Sequence, residues 1–96
     1  MSHYAIVIVE VKDEEKMNKY CQVAGPGLAK HGAKPFAGGP TTKAVQAPHG
    51  PVTGVILEFP SEGTIDEWLS DPELADVHAL RNAAATVTIL AAPPMG

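Results

Sequence analysis

The sequence predicts an α+β domain in which strands and helices follow the order βαββαβ, and three observations carry that prediction. Residues 4–11, Tyr-Ala-Ile-Val-Ile-Val-Glu-Val, are an almost unbroken β-branched run of the kind that fills the interior of a sheet. Two further apolar runs, Val52 to Phe59 and Thr86 to Ala92, are set off by proline-rich segments at 48–51, 60 and 93–94. Between the runs, apolar residues recur at three- and four-residue spacing, as on one face of a helix.

The first strand spans about His3 to Val11. It gives way to Asp13-Glu14-Glu15, a helix N-cap followed by acids in the first turn, where the helix dipole favours them. The first helix carries the stripe Met17, Tyr20, Cys21, Ala24 and Leu28, with Lys30 and His31 in its last turn and Gly32 at C′. Leu28 stays on the stripe beyond Gly25-Pro26-Gly27, so the helix is expected to run on through Pro26 with a kink. Lys34 to Ala37 and Lys43 to Ala47 are expected to form one edge strand bent at Gly38-Gly39-Pro40. The turn Pro48-His49-Gly50-Pro51 then leads into the third strand, making a hairpin. Ser61 caps a helix bearing Ile65, Trp68 and Leu69. Asp71-Pro72-Glu73 caps the next, which holds Leu74, Val77, Leu80 and Ala84 before the fourth strand begins.

In one domain over residues 1–96 this order folds most simply as a ferredoxin-like antiparallel sheet, strand order 4-1-3-2. Right-handed crossovers put both helical segments on the same face. Parity then assigns the faces: Ala5, Val7, Val9, Val11, Val55, Leu57, Phe59, Val87 and Ile89 point to the helices. Tyr4, Ile6, Ile8, Glu10, Gly54, Ile56, Glu58, Thr86, Thr88 and Leu90 point the other way. The second set is apolar at its centre and has no cover within the chain. Burying Tyr4, Ile6, Ile8, Ile56 and Leu90 would contribute roughly 8 to 15 kcal/mol gross per protomer. An obligate homodimer, two sheets face to face in a dimeric α/β barrel, is therefore expected.

Composition narrows the function. The 96 residues are 45% hydrophobic but only 5% aromatic, so the core is small and aliphatic. The net charge is −4 and the seven Lys and Arg residues are scattered, which argues against nucleic acid as a partner. Cys21 is the only cysteine, which excludes an intrachain disulfide and fits a reducing, cytoplasmic compartment. The first apolar run is too short for a signal core or a membrane span and contains Glu10, so no membrane association is expected.

Few residues point to chemistry. The polar members of the uncovered face, Tyr4, Glu10, Glu58, Thr86 and Thr88, are candidates to line a ligand pocket, although carboxylates at strand ends are commonly solvated or salt-bridged. Antiparallel pairing sets Glu58 beside Tyr4 and Glu10 beside Thr86, so the two carboxylates do not form an acid pair. His3, His31, His49 and His78 share no ligand spacing, and no metal is expected. His78 and Arg81 share a helix face at i, i+3: they border a cavity between helix and sheet, or form an exposed flank, the more frequent arrangement. Trp68 is core filler or the wall of a pocket. Cys21, on the helix stripe, is expected to be a buried small hydrophobe and not a nucleophile. Gly38-Gly39 lacks the context of a dinucleotide fingerprint and no Walker motif occurs, so no cofactor is expected.

Taken in order, Ala24-Gly25-Pro26 with Leu28 and Gly32, Gly38-Gly39, Glu58-Phe59-Pro60-Ser61, Trp68, Asp71-Pro72-Glu73 and Arg81-Asn82-Ala83-Ala84 resemble the domain of unknown function 1330 family. The resemblance implies membership of the dimeric α/β-barrel superfamily, whose protomers pair through their sheets. Two departures stand out: Ala37 where family members often carry arginine, and Leu69 and Leu74 where aromatics are frequent. The family has no settled activity. The first functional reading is a homodimeric domain holding a small, partly apolar molecule through Tyr4, Glu10, Glu58, Trp68, His78 and Arg81. The alternative is a cofactor-independent enzyme, similar to the monooxygenases, isomerases and cyclases of that superfamily, with Glu58, Tyr4 or His78 moving a proton. A third is a structural partner for another barrel-forming chain.

Overall fold

The β-branched run at the start of the chain becomes a central strand. In the computed structural model, which describes residues 2–39, 41–48 and 50–95, the elements are β1 (His3–Val11), α1 (Glu14–Lys30), β2 (Lys34–Gly39), β3 (Thr53–Phe59), α2 (Glu62–Ser70), α3 (Ala75–Ala84) and β4 (Ala85–Ala92). A 3₁₀ turn over Pro72–Leu74 joins α2 to α3. The strands form one antiparallel sheet in the order β2-β3-β1-β4, which counted from the β4 edge is 4-1-3-2. Tyr4 pairs with Glu58, Ile6 with Ile56 and Ile8 with Gly54. Along the other edge of β1, Glu10 faces Thr86.

Alternation along the strands sorts residues into two faces. Ala5, Val7, Leu57 and Phe59 are buried against Ile65, Trp68 and Leu74 from the helical layer, with Val9, Val55, Val87 and Ile89 packed around them. Phe59 is fully buried, its ring tilted on Trp68 at 5.5 Å. The fold is two layers thick, 18 Å through its thinnest axis. The far face of the sheet stays open, with Ile8 37% and Leu90 49% exposed. Tyr4, Ile6 and Ile56 there are only part-buried. Since neighbouring strands already shield much of these five side chains, covering them gains on the order of 3 kcal/mol per protomer, well under the whole-side-chain figure.

Helix α1 begins where Asp13 accepts a hydrogen bond from the Lys16 amide at 3.0 Å. It continues unbroken through Pro26. The proline withholds one donor from the Gln22 carbonyl, and both residues are exposed, so water can take its place. Gly32, at φ +72°, ends the helix in the left-handed conformation, and a Cβ there would lie 2.8 Å from Pro60 Cγ.

Two contacts fix where α1 sits. At Gly27, the one buried residue of the helix, the backbone comes so close to Leu74 that a Cβ would lie 2.8 Å from its Cδ2. At the C-terminal end, Asp71 Oδ2 accepts from Lys30 Nζ at 2.7 Å and from His31 Nε2 at 2.8 Å, while Oδ1 accepts from the Glu73 amide at 2.9 Å. Lys30 also reaches Glu73 at 2.8 Å. His31, expected only to complement the helix dipole, is thus a tertiary contact. The C-terminal end of α1 is held to the junction between α2 and α3, and at its other end the Lys12 and Asp13 amides donate to the Ala84 carbonyl at 2.8 and 2.9 Å.

Three expectations need correction. The edge strand ends at Gly39 and does not resume over Lys43–Ala47, because the register already pairs Gly39 with Gly54 near the start of β3 and leaves no partner for more strand. The loop is instead tied by side chains: Thr42 Oγ1 donates to Gly54 O at 2.8 Å and Thr53 Oγ1 to Gly39 O at 2.9 Å. The register shift in β2 falls between Pro35 and Ala37, ahead of the expected Gly38-Gly39, which instead turn the chain at φ +91° and +113°. Pro40 and the turn residue His49 lie outside the described residues. Cys21 is exposed, because the stripe it belongs to overhangs a gap and is not pressed onto the sheet.

Candidate binding cavity

That gap is a cavity of about 600 Å³. Its floor is the helix-side face of the sheet, with Val7, Val9, Val55 and Leu57. Met17, Tyr20, Cys21, Ala24 and Leu28 of α1 line it from above, and Trp68 and Arg81 also contribute to the wall. Most of the lining is apolar. The cavity is a cleft open to solvent on one side, of a size that small-molecule sites commonly have.

One cationic group reaches the cavity from the helical layer. Arg81 is only 5% exposed and His78 8%. The arginine donates from Nη1 to His78 Nδ1 at 2.8 Å, and His78 Nε2 lies 2.8 Å from the Trp68 carbonyl oxygen. A guanidinium can only donate and a carbonyl can only accept, so the imidazole is the Nε2–H tautomer with Nδ1 as acceptor. The His78 ring meets the Trp68 ring edge-on at 5.0 Å, and the guanidinium lies 5.6 Å from the indole centroid. Nε donates to Asn82 Oδ1 at 3.2 Å. Among the described residues no fully buried side-chain nitrogen or oxygen lacks a partner and Nη2 makes no protein hydrogen bond, so this nitrogen of a cavity-lining residue keeps some exposure. Among those residues no carboxylate lies within 4 Å of the guanidinium.

The six candidate ligand residues therefore divide. Trp68 and Arg81 line the cavity, with His78 behind them as the group that orients Arg81. The exposed-flank alternative for His78 and Arg81 does not hold, because Trp68 of α2 packs over both. Tyr4, Glu10 and Glu58 belong to the opposite face of the sheet. The Tyr4 ring tilts against Phe36 at 5.2 Å, Glu58 faces Lys34 at 3.5 Å and Glu10 pairs with Lys12. These are strand-edge contacts, and the sheet separates them from Arg81. Met17 and Tyr20 are lining residues that the helical periodicity marked only as core. Among the described residues no three His, Cys, Asp or Glu side chains converge as metal ligands, and no helix is long and apolar enough to cross a membrane.

Residues 2–94 match the domain of unknown function 1330 family. The chain belongs to this family. Its fold is similar to that of a protein of unknown function from Rhodopseudomonas palustris, at 18% identity and a TM-score of 0.82 over 99% of this chain and 83% of that one. It is also similar to a dimeric ferredoxin-like protein of unknown function from Jannaschia sp., at 17% identity and a TM-score of 0.72 over 98% of this chain and all of that one. A third likeness is to a protein from Arabidopsis thaliana, at 16% identity and a TM-score of 0.71 over 98% and 96% of the two chains. No curated protein matches this DUF1330 chain. The likenesses agree with a ferredoxin-like fold.

Proposed function

We propose that this DUF1330 protein is a homodimeric α/β-barrel domain that holds a small, partly apolar molecule in the cavity between α1 and the sheet. The observation that carries the reading is the cavity itself: about 600 Å³, mostly apolar, within the size range of small-molecule sites. Dimerisation is supported by the uncovered apolar centre of the far face and by the dimeric relative from Jannaschia sp.. The two features lie on opposite sides of the sheet, so pairing leaves the cavity free. A cytoplasmic location belongs to the same reading, supported by the lone cysteine.

Binding without turnover is favoured over catalysis by where the proton-transfer nominees lie. Tyr4 and Glu58 face away from the cavity, and both nitrogens of His78 are engaged by Arg81 and the Trp68 carbonyl. Native mass spectrometry of freshly purified protein tests the proposal. The expected result is a dimer carrying a discrete small-molecule adduct. A dimer of bare mass, together with no change in Trp68 emission across a panel of small apolar compounds, would remove it.

A further inference from the structure

We infer that the molecule held in this cavity carries a single carboxylate, anchored by Arg81, on an apolar body. The inference rests on the binding reading above and names the chemistry of the ligand. An arginine that is 95% buried carries a full charge out of water, and such a charge is costly unless it is paired. Here the described residues offer the guanidinium neutral acceptors and an aromatic face, with no carboxylate within 4 Å. Nε goes to an amide oxygen, Nη1 to an imidazole nitrogen, and the plane lies near Trp68.

The arrangement orients the guanidinium without neutralising it. His78 fixes Nη1, Asn82 fixes Nε, and Nη2 is left without a protein partner among the described residues, on a side chain that lines a mostly apolar cavity. The cavity also holds one carboxylate side chain, Glu14, which is exposed and can keep its charge in water instead of following Arg81 inward. A ligand anion entering the open cavity would displace water from Arg81 and supply the counter-charge. Charge-assisted hydrogen bonds are among the stronger polar contacts once water is excluded.

The stoichiometry of charge selects the anion. One guanidinium with one free nitrogen, no lysine along the lining and Glu14 nearby suit a monoanion, not the dianion of a phosphate monoester. Asn18, Tyr20 and Thr53 add a few neutral polar groups, but the aliphatic part of the wall, Val7, Val9, Leu28, Val55 and Leu57, calls for a hydrocarbon body. His78 is a positioning residue in this account, acting on the ligand through Arg81.

Titration calorimetry of the purified dimer with octanoate, 1-octanol and octyl phosphate tests the assignment, since the three share a chain and differ in the head group. Octanoate is expected to bind about tenfold or more tighter than the alcohol, and tighter than the phosphate. Arg81→Met should bind octanoate and octanol alike. If Arg81→Met fails to fold, Arg81→Lys decides, with a weakened but surviving preference for the acid expected because an ammonium lacks the planar fork. Equal binding of acid and alcohol by the parent protein would overturn the carboxylate assignment while leaving the cavity reading intact. So would tightest binding of the phosphate, or a preference for the acid that survives undiminished in either variant. Binding of none of the three would remove the assignment and the cavity reading together.

Discussion

Replacing His78 by alanine exposes how the cavity's one cation is held. The substitution deletes the acceptor for Arg81 Nη1 and the donor to the Trp68 carbonyl, both at 2.8 Å and both buried. A hydrogen bond to a charged group contributes about 1.5 to 3 kcal/mol, and a buried carbonyl left without a donor costs about 1 to 3 kcal/mol. The edge-on contact with Trp68 at 5.0 Å is lost as well. A destabilisation of about 3 to 5 kcal/mol is therefore expected. His78→Gln keeps one donor and one acceptor, and should cost about half as much. Much of the alanine penalty comes from stranding a cation, so it should shrink by about 1.5 to 3 kcal/mol in an Arg81→Met background. Urea denaturation followed by circular dichroism, at one fixed protein concentration so that any self-association contributes equally, measures all four variants. Strict additivity of the two substitutions would refute the coupling and the tautomer drawn from it.

Three further outcomes follow from other parts of the fold. The carboxyl of Asp71 is held well below its ordinary value of 3.8 chiefly by the Lys30 hydrogen bond, then by His31 and the Glu73 amide, and Lys30 is raised above 10.5 by the same contact. A depressed acid stabilises the folded state above about pH 4 and loses that contribution as the pH falls. A raised amine does so below its ordinary value and loses it at strongly alkaline pH. Asp71→Asn should flatten both limbs of stability against pH, and an acid limb as steep as the parent's would contradict the latch. Gly32→Ala forces a Cβ into a left-handed residue and against Pro60, which should cost about 1 to 2 kcal/mol or more in thermal unfolding. Ile8→Lys puts a charge at the centre of the uncovered face, and sedimentation equilibrium should show dissociation to monomer. A dimer as tight as the parent's would move the interface elsewhere.

The sheet was legible because its signals are local. Alternating Val and Ile set the faces of β1, β3 and β4, and Asp13, Ser61 and Asp71 marked helix starts with side chains suited to capping. Even the passage of α1 through Pro26 followed from Leu28 keeping the stripe. The site was much less legible. Periodicity put Met17, Tyr20 and Cys21 on the inner side of α1 but carried no measure of how far the helix stands from the sheet. That distance is set by Gly27 against Leu74 and by Lys30 and His31 on Asp71, contacts between residues some forty positions apart. For the same reason His78 and Arg81 read more readily as an exposed flank than as a cavity border: their burial depends on Trp68 arriving from another helix. The loop after Gly39 failed for a different reason, since residues 43–47 have strand-like composition but no unpaired strand to meet.

A crystal structure of the protein as purified bears most directly on the claim that the space under α1 is a binding site. The account predicts connected, non-protein electron density lying between Leu28 and Val55 and reaching Trp68. A chamber collapsed by repacking of Met17 and Leu28 onto the sheet, with any bound molecule on the Tyr4 and Glu58 side, would contradict it.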